Sequence, residues 1–398
     1  MTNDLNIERS FSQEKIRDIL IKETGGKSYK AHKYSLDTTD RPSIDYGNNQ
    51  IVWKKTAETT RHTKYIDLTA LSQNVAQHDD QILSYFLDGS RRVFKVDDVA
   101  YYDGSRSMIY PIIAGQIGVG CCRRVDRQMI PEKFFPEIVL SVPDVANAGG
   151  KPSFFPATAK KLNDCEELQR LGIKFTAILP YKTAKKEESK YEDKATACVQ
   201  DRMIEREKEL VAELVREGKL NQDNYLIKDG SLEYRPSQKD KTDKKSYQTF
   251  KNNYNWVLGA SKNFNPEVCI DVNGKPNPGF IADLPLYHRT PVACYENPEY
   301  LGDVQFAVWY IRLRDQQRTR SPFDGILKIE KILVNEEEIE EGMNSEVVDT
   351  LSAYLINERN PVCYGSDLRW ANHIYPIYLT ETFVKSRYLS AESFLHLF

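Results

Sequence analysis

Three acidic residues occupy positions where a carboxylate can be held rigidly. Asp88 follows the apolar run Ile82-Leu83-Ser84-Tyr85-Phe86-Leu87, and Asp229 follows Tyr225-Leu226-Ile227-Lys228. A carboxylate at a strand end is fixed by the sheet while its oxygens reach an open edge. Hard cations such as Mg²⁺ and Mn²⁺ prefer such oxygen ligands. Each aspartate is also followed by glycine, and Asp-Gly is a turn dipeptide, so a plain turn is the stronger reading of either position taken alone. Asp103-Gly104 and Asp324-Gly325 read as turns alone. The third residue, Glu207, falls within the helical stripe Val199, Met203, Leu210 and Leu214. A charged side chain facing a core is rare unless paired or metal-bound. The bland alternative is a glutamate that snorkels to the edge of the stripe. Glu205 and Glu209 lie on other faces, as solvated carboxylates. With Glu207 turned inward, Asp88, Glu207 and Asp229 can converge. Two carboxylates ~4 Å apart repel by roughly 4 kcal/mol at an effective dielectric of about 20, which a divalent cation would relieve.

Weaker signals surround these. Lys262, after Asn255-Trp256-Val257-Leu258-Gly259-Ala260-Ser261, suits a phosphate contact or a plain surface position. Arg312, Arg314, Arg318 and Arg320 beside Trp309 and Tyr310 suit phosphate contact with base stacking, or a solvated strand end. Cys121-Cys122-Arg123-Arg124 carries the same ambiguity. The histidines show no ligand spacing, and P-loop, GxGxxG and GxSxG sequences are absent.

The elements that must position these residues read as a mixed α/β fold. Helices are expected near Ile16–Leu20, with Ser12 as its cap and Gly25-Gly26 as its end, and over 68–75, 193–216, 345–357 and 379–389. Strands are expected at 82–87, 99–102, 108–113, 116–122, 225–228, 255–259, 303–313 and 325–334. Residues 1–79 read as a helical and irregular N-terminal extension, 80–398 as the main domain, and 126–195 as an insertion, of which 144–195 lies mostly on the surface. The chain of 398 residues has 40% hydrophobic and 28% charged residues, an ordinary globular balance. Its net charge of −3 excludes a strongly basic nucleic-acid coat but not a local basic groove. No bilayer-length apolar run or secretory leader is evident. Seven scattered cysteines without a CxxC pair argue against a zinc ribbon and for reduced thiols in the cytoplasm.

Taken in order, the segments Phe86-Leu87-Asp88-Gly89-Ser90-Arg91, the Glu-rich helix, Leu226-Ile227-Lys228-Asp229-Gly230-Ser231-Leu232 and Val257-Leu258-Gly259-Ala260-Ser261-Lys262 resemble the NurA nuclease family. Gly325-Ile326-Leu327-Lys328-Ile329-Glu330 and Tyr375-Pro376-Ile377-Tyr378-Leu379 extend the resemblance over residues 80–390. It implies a ribonuclease-H-like mixed sheet flanked by helices and DNA cleavage dependent on Mn²⁺ or Mg²⁺. It also implies a homodimer and partnership with a HerA-type hexameric ATPase. By this resemblance Asp88, Glu207 and Asp229 are metal ligands, with Glu205 or Glu209 replacing Glu207 if the register shifts. Lys262 and Tyr375 join them in catalysis. The family commonly has a histidine eight residues beyond that tyrosine, where this chain has Phe383; His373 is a candidate to replace it in space. That departure supports a rival expectation, a non-catalytic scaffold that caps the ATPase ring and positions DNA. The divergence also fits an antiviral defence pair, by analogy.

Overall fold

The computed structural model describes residues 15–29, 33–37, 52–77, 81–102, 106–184, 190–234, 244–266, 269, 271, 273–296, 304–319, 321–361 and 368–398. The principal strands are β1 (Val52–Thr56), β2 (Leu83–Tyr102), β3 (Ser107–Val125), β4 (Gln128–Pro143), β5 (Phe175–Tyr181), β6 (Tyr225–Asp229), β7 (Val257–Ser261), β8 (Ala293–Glu296), β9 (Gln305–Arg312) and β10 (Ile326–Ile332). The principal helices are α1 (Ile16–Thr24), α2 (Thr69–Val75), α3 (Phe154–Asn163), α4 (Tyr191–Arg216), α5 (Lys244–Asn253), α6 (Ser345–Asn357) and α7 (Tyr375–Lys385). One mixed sheet runs β1-β8-β9-β10-β7-β6-β2-β3-β4-β5. At its centre β2, β3 and β4 form an antiparallel meander, β6 lies parallel to β2, and β7 lies parallel to β6. It is a large mixed α/β sheet with helices on both faces.

Alternation along the central strands makes two cores. Leu87, Leu226 and Val257 pack with Val199, Leu210 and Leu214 of α4 on one face. Phe86, Ile227 and Leu258 pack on the other with Leu351 and Leu355 of α6 and Ile377 of α7. Strands buried on both faces read as continuous apolar runs, which is why Tyr85-Phe86-Leu87 and Leu226-Ile227 lack a polar alternation.

Most expected elements are present within a few residues. Three readings change. β2 does not stop at Asp88-Gly89; it continues to Tyr102, because β3 pairs with it from Tyr85 to Tyr102. What ends there is the pairing with β6, after Leu87 and Lys228. The segments 108–113 and 116–122 belong to one strand, β3, rather than two. Residues 144–195 contribute more than surface: β5 extends the sheet along β4, and Leu162 and Phe175 are core residues. Likewise Ile16, Ile19 and Leu20 of α1 join the core, and β1 forms a sheet edge on β8. Ser12, Asp103 and Gly104 lie outside the described residues.

Candidate active site

The register places Asp88 and Asp229 side by side. They follow the paired Leu87 and Lys228, and Asp229 pairs with Ala260 of β7. Both point to the α7 face. Asp88 lies opposite Gly120, and a side chain on Gly120 would meet Val384 and Phe383 of α7. β6 ends at Asp229 because Gly230 turns the chain at a positive φ of 85°. Lys262, one residue past β7, reaches back to place Nζ 2.9 Å from Asp229 Oδ2. The same ammonium lies 3.0 Å from His373 Nε2, which in turn is 3.3 Å from Glu381 Oε2 of α7. His373 Nδ1 lies 3.0 Å from the Ile374 carbonyl, which can only accept, so that contact fixes the ring and turns Nε2 toward Lys262 and Glu381. Asn372 Nδ2 donates to the Lys262 carbonyl at 2.8 Å and holds the segment in register.

Asp88 is 5% exposed, and its Oδ2 is buried without a hydrogen-bond partner. Burial, and then the neighbouring Asp229, push its carboxyl well above the usual value; Glu381 and Glu207 add to this, and Lys262 opposes it. Burial disfavours the Lys262 ammonium, but Asp229, Glu381 and Asp88 outweigh it and hold the lysine charged. Burial also works against ionised Glu381. His373, Lys262 and Lys385 together prevail and hold its carboxyl well below the usual range.

Glu207 faces the core, as its place in the α4 stripe suggests, and is 3% exposed. It approaches the sheet from the opposite face to Asp88. Its Oε2 is 3.2 Å from Lys228 Nζ, and its Oε1 lies where a Cβ on Gly89 would be, 2.2 Å away. Gly89 is therefore the notch that admits this carboxylate beside Asp88. Burial raises the Glu207 carboxyl, with Lys228 opposing. Glu205 and Glu209 pair outward with Arg202 and Arg206. The loop after Asp229 is fixed from beneath: Ser231 Oγ and the Leu232 amide donate to Glu330 Oε2 at 2.8 and 2.7 Å, and Lys328 pairs with Glu330 Oε1 at 2.5 Å.

The structure thus brings Asp88, Asp229 and Lys262 together and sets Glu207 on the far side of the Gly89 notch. Tyr375 begins α7, 41% exposed, with its ring stacked on Tyr378; it is not in the ion-pair chain. Phe383 packs edge-on against Phe134, with ring centroids 5.5 Å apart. Arg312 is not a phosphate contact: it is 1% exposed and donates to the carbonyls of Leu284, Ala282, Pro322 and Asp324. Cys121 and Cys122 are buried, and Arg123 and Arg124 pair with Glu132 and Glu358. Sequence reasoning missed Glu381 and Lys228. Glu381 lies one helical turn and a half after Tyr375 on an amphipathic helix, a signal no stronger than that of any solvated glutamate.

Among the described residues no three His, Cys, Asp or Glu side chains already stand at ligating spacing. The fit to a hard cation is chemical: an all-oxygen donor set, surplus negative charge, and an unpartnered buried carboxylate oxygen. Among the described residues no helix is long and apolar enough to cross a membrane.

No family model matches the chain, and no curated protein matches it. Among solved structures, the NurA nuclease from Sulfolobus solfataricus is similar over 82% of this chain and 86% of its own, at 11% identity and a TM-score of 0.38. At that distance the functional assignment rests on the residues themselves.

Proposed function

We propose that the protein is a metal-dependent DNA nuclease that hydrolyses phosphodiester bonds by a two-metal mechanism, in DNA end processing or antiviral defence. The observation that carries this is Asp88: a buried carboxylate oxygen with no partner, set beside a second aspartate where the parallel pairing of β2 with β6 ends. A fold that keeps such a group without a structural partner sustains a cost of ~1–3 kcal/mol, which function can explain. Bound Mn²⁺ or Mg²⁺ supplies Lewis acidity toward a phosphate oxygen and lowers the pKa of a water. Asp88 and Asp229 hold that charge, and Glu207 contributes through the Gly89 notch. Lys262, kept cationic by its acidic neighbours, offsets charge on the scissile phosphate. Tyr375, exposed at the start of α7, is available to a nucleic-acid strand. The meander β2-β3-β4 continued by parallel β6 and β7 supports the ribonuclease-H-like reading.

The near-neutral net charge supports delivery of DNA by a partner, which we take to be a HerA-type hexameric ATPase acting on a homodimer of this chain. One observation favours the scaffold reading: Lys228 and Lys262 each already pair with a carboxylate of the set, and Phe383 is a packing residue. A cleavage assay decides between them. Linear and circular DNA are incubated with Mn²⁺, Mg²⁺ or EDTA, with and without a co-purifying ATPase. Metal-dependent cutting that is lost in Asp88→Asn and Asp229→Asn supports the nuclease. Intact assembly with no cutting, or cutting that survives both changes, overturns it.

A further inference from the structure

Glu381 is absent from the carboxylate set that the sequence suggests, yet it lies on the same face of the sheet as Asp88 and Asp229. We infer that Glu381 is a cation ligand, the third carboxylate on that face, while Glu207 supports the site from the other side. The inference rests on the nuclease reading and deepens its site.

Two independent observations carry it. First, α7 sets Glu381 at one end of a chain of contacts that closes on Asp229. Glu381 Oε2 is 3.3 Å from His373 Nε2, that atom is 3.0 Å from Lys262 Nζ, and the ammonium is 2.9 Å from Asp229 Oδ2. Phe383 instead packs on Phe134. Second, Asp88 is 5% exposed and faces this group with an unpartnered oxygen, a polar atom aimed at the site with nothing in the chain to satisfy it. Glu207 Oε2 also accepts no hydrogen bond, but it forms an ion pair 3.2 Å from Lys228 Nζ on the opposite face.

The remaining partners of Glu381 fit a ligand that must move slightly. Its Oε1 pairs with Lys385 at 2.5 Å, and Lys385 is half-exposed and one helical turn away, so the pair can follow the helix or release to solvent. Lys262 now holds together the acids that a divalent cation would bind. A carboxylate that already answers to a cation on this face is in place to answer to a doubly charged one.

The test is Mn²⁺ titration of the full chain, read by the electron paramagnetic resonance of free Mn²⁺ and by calorimetry, without DNA. Wild type, Asp88→Asn, Glu381→Gln, Glu381→Asp, His373→Gln and the remote Glu346→Gln are compared, with circular dichroism to confirm folding. Loss of a ligand is expected to weaken Mn²⁺ binding by at least the 10- to 100-fold seen for lost outer partners. Glu381→Gln should therefore lose well over tenfold, His373→Gln, which removes an outer partner of that carboxylate, clearly less, and the remote Glu346→Gln should stay within about threefold of wild type. If Glu381→Gln fails to fold, Glu381→Asp keeps the charge for Lys385 and His373 but retracts the donor, and should show the same loss. Unchanged affinity in a folded Glu381 variant, with affinity lost in Asp88→Asn, overturns the inference and leaves the nuclease reading standing. An equal loss in His373→Gln also overturns it, because Glu381 would then act only by positioning that ring. A wild-type chain that binds no Mn²⁺ overturns the nuclease reading itself.

Discussion

Replacing Asp88 with asparagine should have opposite effects on stability with and without metal. In the metal-free protein Asp88 Oδ2 is buried and unpartnered, and Asp229 and Glu381 repel the ionised form. If the group is ionised it carries an unsolvated charge; if protonated it must take up a proton at neutral pH. Asparagine removes both costs and adds an amide donor beside Asp229. An unsatisfied buried acceptor costs ~1–3 kcal/mol, so Asp88→Asn should be more stable than wild type by about that amount at pH 7.5 in EDTA. For 398 residues, an unfolding entropy of about 2.1 cal/mol/K per residue gives a melting shift of only ~1 °C per kcal/mol. Urea denaturation, which reads the change in free energy through the midpoint, is the better assay. With Mn²⁺ at about 1,000 times its Kd, wild type should gain roughly 4.1 kcal/mol and the variant much less, so the order of stability inverts. If the asparagine variant is less stable in EDTA, Asp88 is a structural partner and the argument fails. If Mn²⁺ stabilises both proteins equally, the cation is not held by Asp88.

Other expectations follow from neighbouring contacts. Gly89→Ala puts a methyl where Glu207 Oε1 lies and should cost about 1–3 kcal/mol, the usual cost of overpacking; an unchanged urea midpoint would show that Glu207 does not depend on the notch. Glu137 is buried between Arg202 and Arg206, and although burial opposes them, they hold its carboxyl below the usual value. Its stabilisation is therefore present above pH ~4.3 and lost as pH falls through the lowered value. Glu137→Gln should be less stable than wild type at pH 7, with the gap closing in acid; a gap independent of pH would refute the ion-pair account. Arg312→Ala strands the carbonyls of Leu284, Ala282 and Pro322 and should cost about 3 kcal/mol or more. Its DNA affinity should keep the wild-type salt dependence, measured on protein confirmed to be folded, and a reduced slope would restore Arg312 as a phosphate contact.

Much of the scaffold was legible because it is written in local patterns. The α4 stripe announced itself by spacing, and Val199, Met203, Leu210 and Leu214 are all buried with Glu207 among them. Asp229-Gly230 ended its strand as a turn dipeptide should. The failures have one cause: pairing partners distant in sequence. Asp88-Gly89 has the same local signal as Asp229-Gly230, yet β3 carries β2 past it, and glycine serves there to admit Glu207 instead of to turn the chain. Arg312 read as surface because no local pattern reveals that carbonyls from Ala282 and Leu284 surround it. Glu381 was invisible for the same reason. Its neighbours Lys262 and His373 come from other segments, and only the packing of α7 on the sheet joins them.

The two faces of the central sheet bury acid in different ways, and the difference locates the chemistry. On the α4 face Glu330 is fully buried and receives the Ser231 hydroxyl, the Leu232 amide and the Lys328 ammonium. Glu207 is nearly as enclosed, its side chain 4% exposed beside Lys228. Those carboxylates are closed to a substrate and brace the loop after β6. On the α7 face Asp229 and Glu381 keep 18% and 21% of their side chains exposed, and Asp88 behind them has an oxygen that nothing satisfies. Glu207 Oε2 and Glu330 Oε1 also accept no hydrogen bond, but each lies against a lysine ammonium, and a purely structural acid would be expected on that ion-paired pattern. The second pattern combines access with unmet coordination, which is what a phosphodiester and its cation require. In the proposed nuclease Glu207 would act on that site across the thickness of the sheet, at Gly89, where the strand has no side chain to stand between them.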